Sequence, residues 1–152
     1  MLRLCRRAAL APGSHWNEEY PNEDILRWDI NHCALYQILG SDDQLIGLIS
    51  IGQIGELDML PWPDLSSSAA EAARFGLDPL YQGQGLAKEI FCAAAAQCFS
   101  RGFQSLRFLV ASDDLRLQKL YQRCGGRSVG RQHLWGSDFE QYVLMPNDLH
   151  NL

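Results

Sequence analysis

Apolar and polar positions recur along the chain in short blocks whose period changes from element to element. Met1 to Arg7, "MLRLCRR", reads as a short strand. Asn22 stands where it can cap a helix over "EDILRWDIN", with Glu23 and Asp24 in the first turn, where the helix dipole favours acids. Ile25, Leu26 and Ile30 give that helix an apolar side. "CALYQIL" and "QLIGLISIG" are strand-like runs parted by Gly40-Ser41-Asp42-Asp43, which predicts a hairpin. Pro61 and Pro63 keep "ELDMLPWPDLSSS" irregular. "AAEAARFGL" is alanine-rich, yet it is short and runs into Asp78-Pro79, so a strand is predicted. Gly85 to Arg101 reads as a helix closed by Gly102. In it Leu86, Ile90 and Ala94, with Phe91 and Cys98, recur at helical spacing and predict a buried face. "SLRFLVA" is a strand. Asp113 or Asp114 caps the helix "LRLQKLYQRC", which stops at Gly125-Gly126. "RSVGRQHLW" and "FEQYVLM" form a closing hairpin across Gly136-Ser137-Asp138. The order is strand, helix, hairpin, strand, helix, strand, helix, hairpin. It predicts an α+β architecture around a mixed, mostly antiparallel sheet flanked by helices. The length of 152 residues suits one domain over positions 1–152.

Charge and composition narrow the classes of function. A net charge of -5 argues against nucleic-acid binding, which needs a basic face, and is compatible with a cationic substrate. The five cysteines, Cys5, Cys33, Cys92, Cys98 and Cys124, are odd in number and contain no CxxC pair. Neither a disulfide framework nor a zinc site is expected, and reduced thiols in a cytoplasmic setting fit better. No pair of histidines has metal-ligand spacing, so no metal is expected. No apolar run is long enough to span a membrane.

One stretch calls for a chemical explanation. Gln82-Gly83-Gln84-Gly85-Leu86-Ala87 joins a predicted strand to the longest predicted helix. The first turn of a helix leaves N–H groups without partners, and glycines let an anion approach that backbone closely. A P-loop would require Gly-Lys-Ser/Thr, but Leu86-Ala87 follows Gly85. A dinucleotide fingerprint would require a small residue where Lys88 stands. Taken alone, the stretch is either a plain turn or a pyrophosphate cradle.

The stretch resembles the Gln/Arg-x-x-Gly-x-Gly/Ala loop of the GCN5-related N-acetyltransferase (GNAT) superfamily. Pro79 and Tyr81 precede it as in many members, and "SDDLRLQKLYQRCGG" is similar to the later helix that carries a tyrosine. With the strand order, the resemblance extends from Tyr20 to Met145. It implies a GNAT-like sheet and acetyl-CoA as co-substrate. The implied activity is acetyl transfer to a primary amine, on a small molecule or a peptide, by direct attack. The backbone of Gln82, Gly83, Gln84, Gly85, Leu86 and Ala87 would hold the pyrophosphate. Phe75, Gly76 and Leu77 would pair with the cofactor arm, with a backbone N–H there, Leu77 foremost, as oxyanion donor. Val110 and Ala111 would line the pantetheine. Glu71, fourteen residues before Gly85, matches the superfamily's glutamate base in position, with Glu18 and Glu19 as rivals. Tyr121 matches the residue near the thioester sulfur and is the candidate acid. Strand alternation would put Glu71, Ala73, Phe75 and Leu77 on one face. Trp16 and Trp62 are candidates for an acceptor pocket, and Trp28 for the core. Homodimers are common in the superfamily.

Asp114 stands where the superfamily usually has Asn, so it either repels the cofactor arm or caps its helix. That departure keeps a second reading open, a non-catalytic acyl-CoA-binding domain. The resemblance does not name the acceptor.

Overall fold

Most of the alternating blocks become strands of one open sheet in the computed structural model, which describes residues 1–150. Its strands are β1 (Leu35–Leu39), β2 (Leu45–Gly52), β3 (Ala69–Leu77), β4 (Ser105–Ala111), β5 (Arg127–Leu134) and β6 (Ser137–Leu144). They lie in the order β1-β2-β3-β4-β6-β5, and all neighbours are antiparallel except β3 and β4. The helices are α1 (Leu2–Ala9), α2 (Glu23–Asn31), α3 (Leu86–Ser100) and α4 (Leu115–Arg123).

The parallel pair fixes the shape of the site. β3 and β4 are paired only at Ala69↔Ser105, Ala70↔Leu106 and Glu71↔Arg107. Beyond Glu71 each strand runs on with the other no longer bonded to it, so the sheet opens into a wedge. Both strands keep one outer neighbour, β2 on one side and β6 on the other. Backbone groups facing the wedge are therefore left for something else.

Helices cover both faces. α3 buries Phe91, Cys92, Ala95 and Cys98 against Ala70, Ala72, Phe108 and Tyr142. Leu86, Ile90 and Ala94 flank that stripe half-buried. On the other face Leu4, Cys5 and Leu26 pack over Leu48. Phe91, Phe108 and Tyr121 meet with ring centroids 4.7–5.3 Å apart in tilted or edge-on arrangements, which favour aromatic pairs.

Three expectations are corrected. Residues 2–9 form a helix, not a strand: Leu4, Cys5 and Ala8 are buried, a helical spacing, where a strand would bury every second residue. In α2 the inward residues are Leu26 and Asp29, while Ile30 is exposed. In β3 the register passes from Leu48↔Gly76 to Ser50↔Ala73, so β3 carries one extra residue. This bulge, with Arg74 at φ +52°, breaks the alternation. Phe75 turns to the α3 core beside Phe91, at 6.1 Å between ring centroids, away from the face of Glu71 and Ala73.

Candidate active site

A cavity of about 990 Å³ occupies the wedge. Ala72 to Phe75 of β3 form one wall and Phe108 to Ala111 of β4 the other, with Phe91, Leu117 and Tyr121 beneath. The opposite end is lined by Trp16, Tyr20, Glu56 and Trp135, drawn from three connecting segments, and by Asp138 at the start of β6.

Glu71 sits on the last rung that β3 and β4 share, where the wedge begins, and lines the cavity. It is 3% exposed. Its Oε1 accepts from the Leu57 N–H at 2.8 Å and its Oε2 from the Glu56 N–H at 3.0 Å. Burial pushes its pKa up to about 6, with the Asp58 and Glu56 carboxylates adding to the rise and the two backbone N–H groups opposing it. The carboxylate is thus held in place yet readily protonated near neutral pH.

Tyr121 is the second ionisable group in the cavity wall that the sequence points to. Burial raises its pKa above the ordinary phenol value, helped by Cys124 and Asp114, so it stays protonated. Its hydroxyl bonds to no protein group among the described residues, and the residue lines the cavity. Asp114 caps α4 through the Leu117 N–H at 3.0 Å, which accounts for an acid at that position.

At the start of α3 the loop turns through two left-handed glycines, Gly83 at φ +74° and Gly85 at φ +78°. The N–H groups from Gly83 to Ala87 donate to no protein atom among the described residues. Five free donors in a row at a helix start form an anion cradle. Gln82 Nε2 ties this loop to the end of β3 by donating to the Leu77 carbonyl at 2.9 Å. Asp78 N–H donates to Ile46 on β2 at 2.7 Å, so the Leu77 backbone, one residue earlier, faces away from β2.

The Acetyltransferase (GNAT) family model matches residues 2–126. The chain belongs to the GNAT acetyltransferase family. The fold agrees with solved members whose identity is low enough that the likeness concerns fold alone. A chimera of the Vibrio cholerae spermidine N-acetyltransferase SpeG and hSSAT has 18% identity and a TM-score of 0.72, covering 95% of this chain and 89% of that one. The Vibrio cholerae spermidine N-acetyltransferase in complex with CoA and spermine has 19% identity and a TM-score of 0.68, covering 87% and 80%. A point mutant of the Vibrio cholerae enzyme has 21% identity and a TM-score of 0.67, covering 95% and 87%. No curated protein matches.

For a GNAT enzyme the wedge and the loop fit acetyl-CoA: an open strand edge for the arm and free N–H groups for the pyrophosphate. Glu71, Phe75, Val110, Ala111 and Tyr121 meet at one cavity. Gly76 lies against the Trp16 ring, which a Cβ on Gly76 would overlap. Glu18 and Glu19 are exposed and do not line the cavity. Trp62 also lies away from it, its Nε1 donating to the Leu57 carbonyl at 2.9 Å and its ring under Arg107. Trp28 is no core residue: it is 39% exposed and stacks on His32 at 3.6 Å.

Sequence reasoning missed Tyr20, Glu56, Arg74, His15, His133, Trp135 and Asp138 as cavity residues. Most lie in irregular segments, where no period marks the inward side. Among the described residues no group of three or more His, Cys, Asp or Glu could hold a metal ion. No helix among them is long and apolar enough to cross a membrane.

Proposed function

We propose that this acetyltransferase moves an acetyl group from acetyl-CoA to a primary amine by direct attack, with Glu71 as general base. The observation that carries the reading is the position of Glu71: a buried carboxylate with a pKa of about 6, at the fork of the wedge and facing its cavity. An amine with a pKa near 10 is almost wholly protonated at neutral pH, so a base must remove its proton. A carboxylate ionised just below neutrality suits that task.

Bound acetyl-CoA supplies the activated thioester carbonyl. The N–H groups of Gly83 to Ala87 hold its pyrophosphate, and Phe75, Gly76, Leu77, Val110 and Ala111 flank its arm. Glu71 takes a proton from the acceptor ammonium. The Leu77 N–H faces the carbonyl oxygen as charge develops there. The Tyr121 hydroxyl donates a hydrogen bond to the leaving sulfur. Its raised pKa makes complete proton transfer to a thiolate uphill, so stabilisation by that bond is its main part. Asp114 acts as a helix cap.

The acceptor end carries the Asp138 carboxylate beside the Trp16, Tyr20 and Trp135 rings, surroundings suited to an amine bearing further positive charge, while the Glu56 carboxylate is taken up by Arg74. Spermine, present in the complex of a structural relative, heads the panel to test. The test is acetyl-CoA-dependent thiol release with polyamines, amino acids and peptide amines. Turnover with one of them supports the reading. No turnover with any, and no thermal shift with acetyl-CoA, would overturn it. A shift without turnover would favour a non-catalytic acyl-CoA-binding domain instead.

A further inference from the structure

A line of charged contacts runs from α2 to Glu71 and is not used by the proton transfer itself. Its first member, Asp29, is fully buried. Such a carboxylate is costly unless every lone pair is served. Ser50 Oγ donates to it at 2.5 Å, Arg74 Nε at 2.5 Å and Arg74 Nη2 at 2.6 Å. Arg74 is itself buried, and it occupies the left-handed region at the β3 bulge. A non-glycine residue there is strained, and a buried ion pair adds little net stability over an apolar pair. The fold thus bears two costs to hold a guanidinium at this point.

The outer edge of that guanidinium shows what it does. Arg74 Nη1 and Nη2 donate to Glu56 Oε2 and Oε1, each at 3.1 Å, in a two-point grip. Glu56 lies in the irregular segment between β2 and β3, and the backbone N–H groups of Glu56 and Leu57 are the two that grip Glu71. Arg74 donates no hydrogen bond to Glu71. The side chain of Glu56 is therefore held from behind while its backbone holds Glu71 in front.

We propose that Asp29, Arg74 and Glu56 form a positioning relay that fixes the Glu56–Leu57 backbone against the Glu71 carboxylate. The relay rests on the reading of Glu71 as base for its effect on catalysis, but its effect on Glu71 can be observed without catalysis. Two acids of the connecting segment, Glu56 and Asp58, bear on Glu71 and favour its protonated form. Arg107, its register neighbour on β4, is committed to Asp64, and Arg74 on β3 to Asp29 and Glu56. Glu56 thus acts on Glu71 in two opposed ways. Its charge raises the Glu71 pKa, and its anchored backbone lowers it.

That opposition gives a test by sign. The Glu71 carboxyl is titrated by carbon NMR without ligand in the wild type, Glu56→Ala, Glu56→Gln and Arg74→Lys, the resonance being assigned with Glu71→Gln. The relay predicts that Glu56→Ala releases the backbone and raises the Glu71 pKa by about one unit. Glu56→Gln keeps an acceptor for Arg74 but loses the charge, so the pKa falls by about half a unit. Arg74→Lys keeps a cation for Asp29 while losing the two-point grip, and shifts Glu71 upward, by less than Glu56→Ala. In kcat/KM with acetyl-CoA and the best amine of the panel, Glu56→Ala then loses about tenfold at pH 5 and less than about threefold at pH 8.5. A Glu71 pKa that falls or stays put in Glu56→Ala overturns the relay. A pKa that rises while the kcat/KM profile keeps its wild-type midpoint upholds the relay and removes Glu71 from the role of base.

Discussion

Two arginine–carboxylate clusters, one buried and one half-buried, lie on either side of Glu71, and they differ in what the arginine does with its second edge. At the closed end of the wedge, Arg107 spends its donors on Asp64, at 3.1–3.2 Å from Nε and Nη2 to the carboxylate and 3.1 Å to the Asp64 carbonyl. Its guanidinium stacks over Trp62, 5.3 Å from the ring centroid. Although burial alone would raise the Asp64 pKa, hydrogen bonds from Ser105 and Arg107 outweigh it and hold the carboxyl below its ordinary value. There Asp64 and Trp62 belong to the irregular segment between β2 and β3, and the ion pair with the Ser105 bond ties that segment to β4. At the open end, Arg74 meets a scaffold carboxylate, Asp29, on one edge and a half-exposed loop carboxylate, Glu56, on the other. The same ion-pair chemistry is a cross-tie in one place and a lever on a cavity residue in the other.

The largest expected effect lies between the clusters. Glu71→Gln should lower kcat by about 10²- to 10⁴-fold with the best amine, because proton transfer by a placed base contributes on that scale. Steady-state kinetics at saturating acetyl-CoA measure it, and a loss under threefold would remove Glu71 from the chemistry.

The clusters themselves should differ in stability. Arg74→Met strands the fully buried Asp29 charge and should cost about 3–5 kcal/mol in urea unfolding. Arg107→Met leaves Asp64 with its bond from Ser105 and should cost about 1–3 kcal/mol, with kcat within about threefold of wild type. Equal costs, or a collapse of kcat in Arg107→Met, would break the contrast.

A smaller effect concerns pH. The folded-state pKa of Glu71, about 6, lies above an ordinary glutamate value of 4.5, so the folded state binds this proton more tightly than the unfolded one. The resulting stability is fully present below about 4.5 and is lost as pH rises through about 6. It amounts to about 2 kcal/mol. Comparing urea midpoints of wild type and Glu71→Gln from pH 4 to 7.5 checks this. The difference between them should change over that window and stay level above it.

Much of this arrangement could be read from the chain, and its limits have physical causes. The strand order, the α3 helix and the Gly83–Gly85 turn follow from period and from glycine's freedom at positive φ. Glu71 and Tyr121 could be singled out as cavity residues because motif spacing relates Glu71 to Gly85 and Tyr121 to Asp114. The bulge could not: nothing in "AAEAARFGL" announces an extra residue, since the register is set by β2 across the ladder. Without the bulge the faces of Phe75 and Arg74 were misassigned, and the Asp29–Arg74 pair stayed hidden. Nothing near Asp29 in the chain marks it as buried, because its partner Arg74 lies 45 positions away. The first helix was lost for a simpler reason, as seven residues with three arginines fit either period.

The most direct test of the central claim is the pH profile of kcat/KM for acetyl-CoA-dependent acetylation of the best amine, in wild type and Glu71→Gln. The wild type should show an acid-side ionisation near pH 6 that disappears in the variant, whose residual rate follows only free-amine concentration. A Glu71→Gln enzyme that keeps the wild-type rate and the same ionisation would contradict the account.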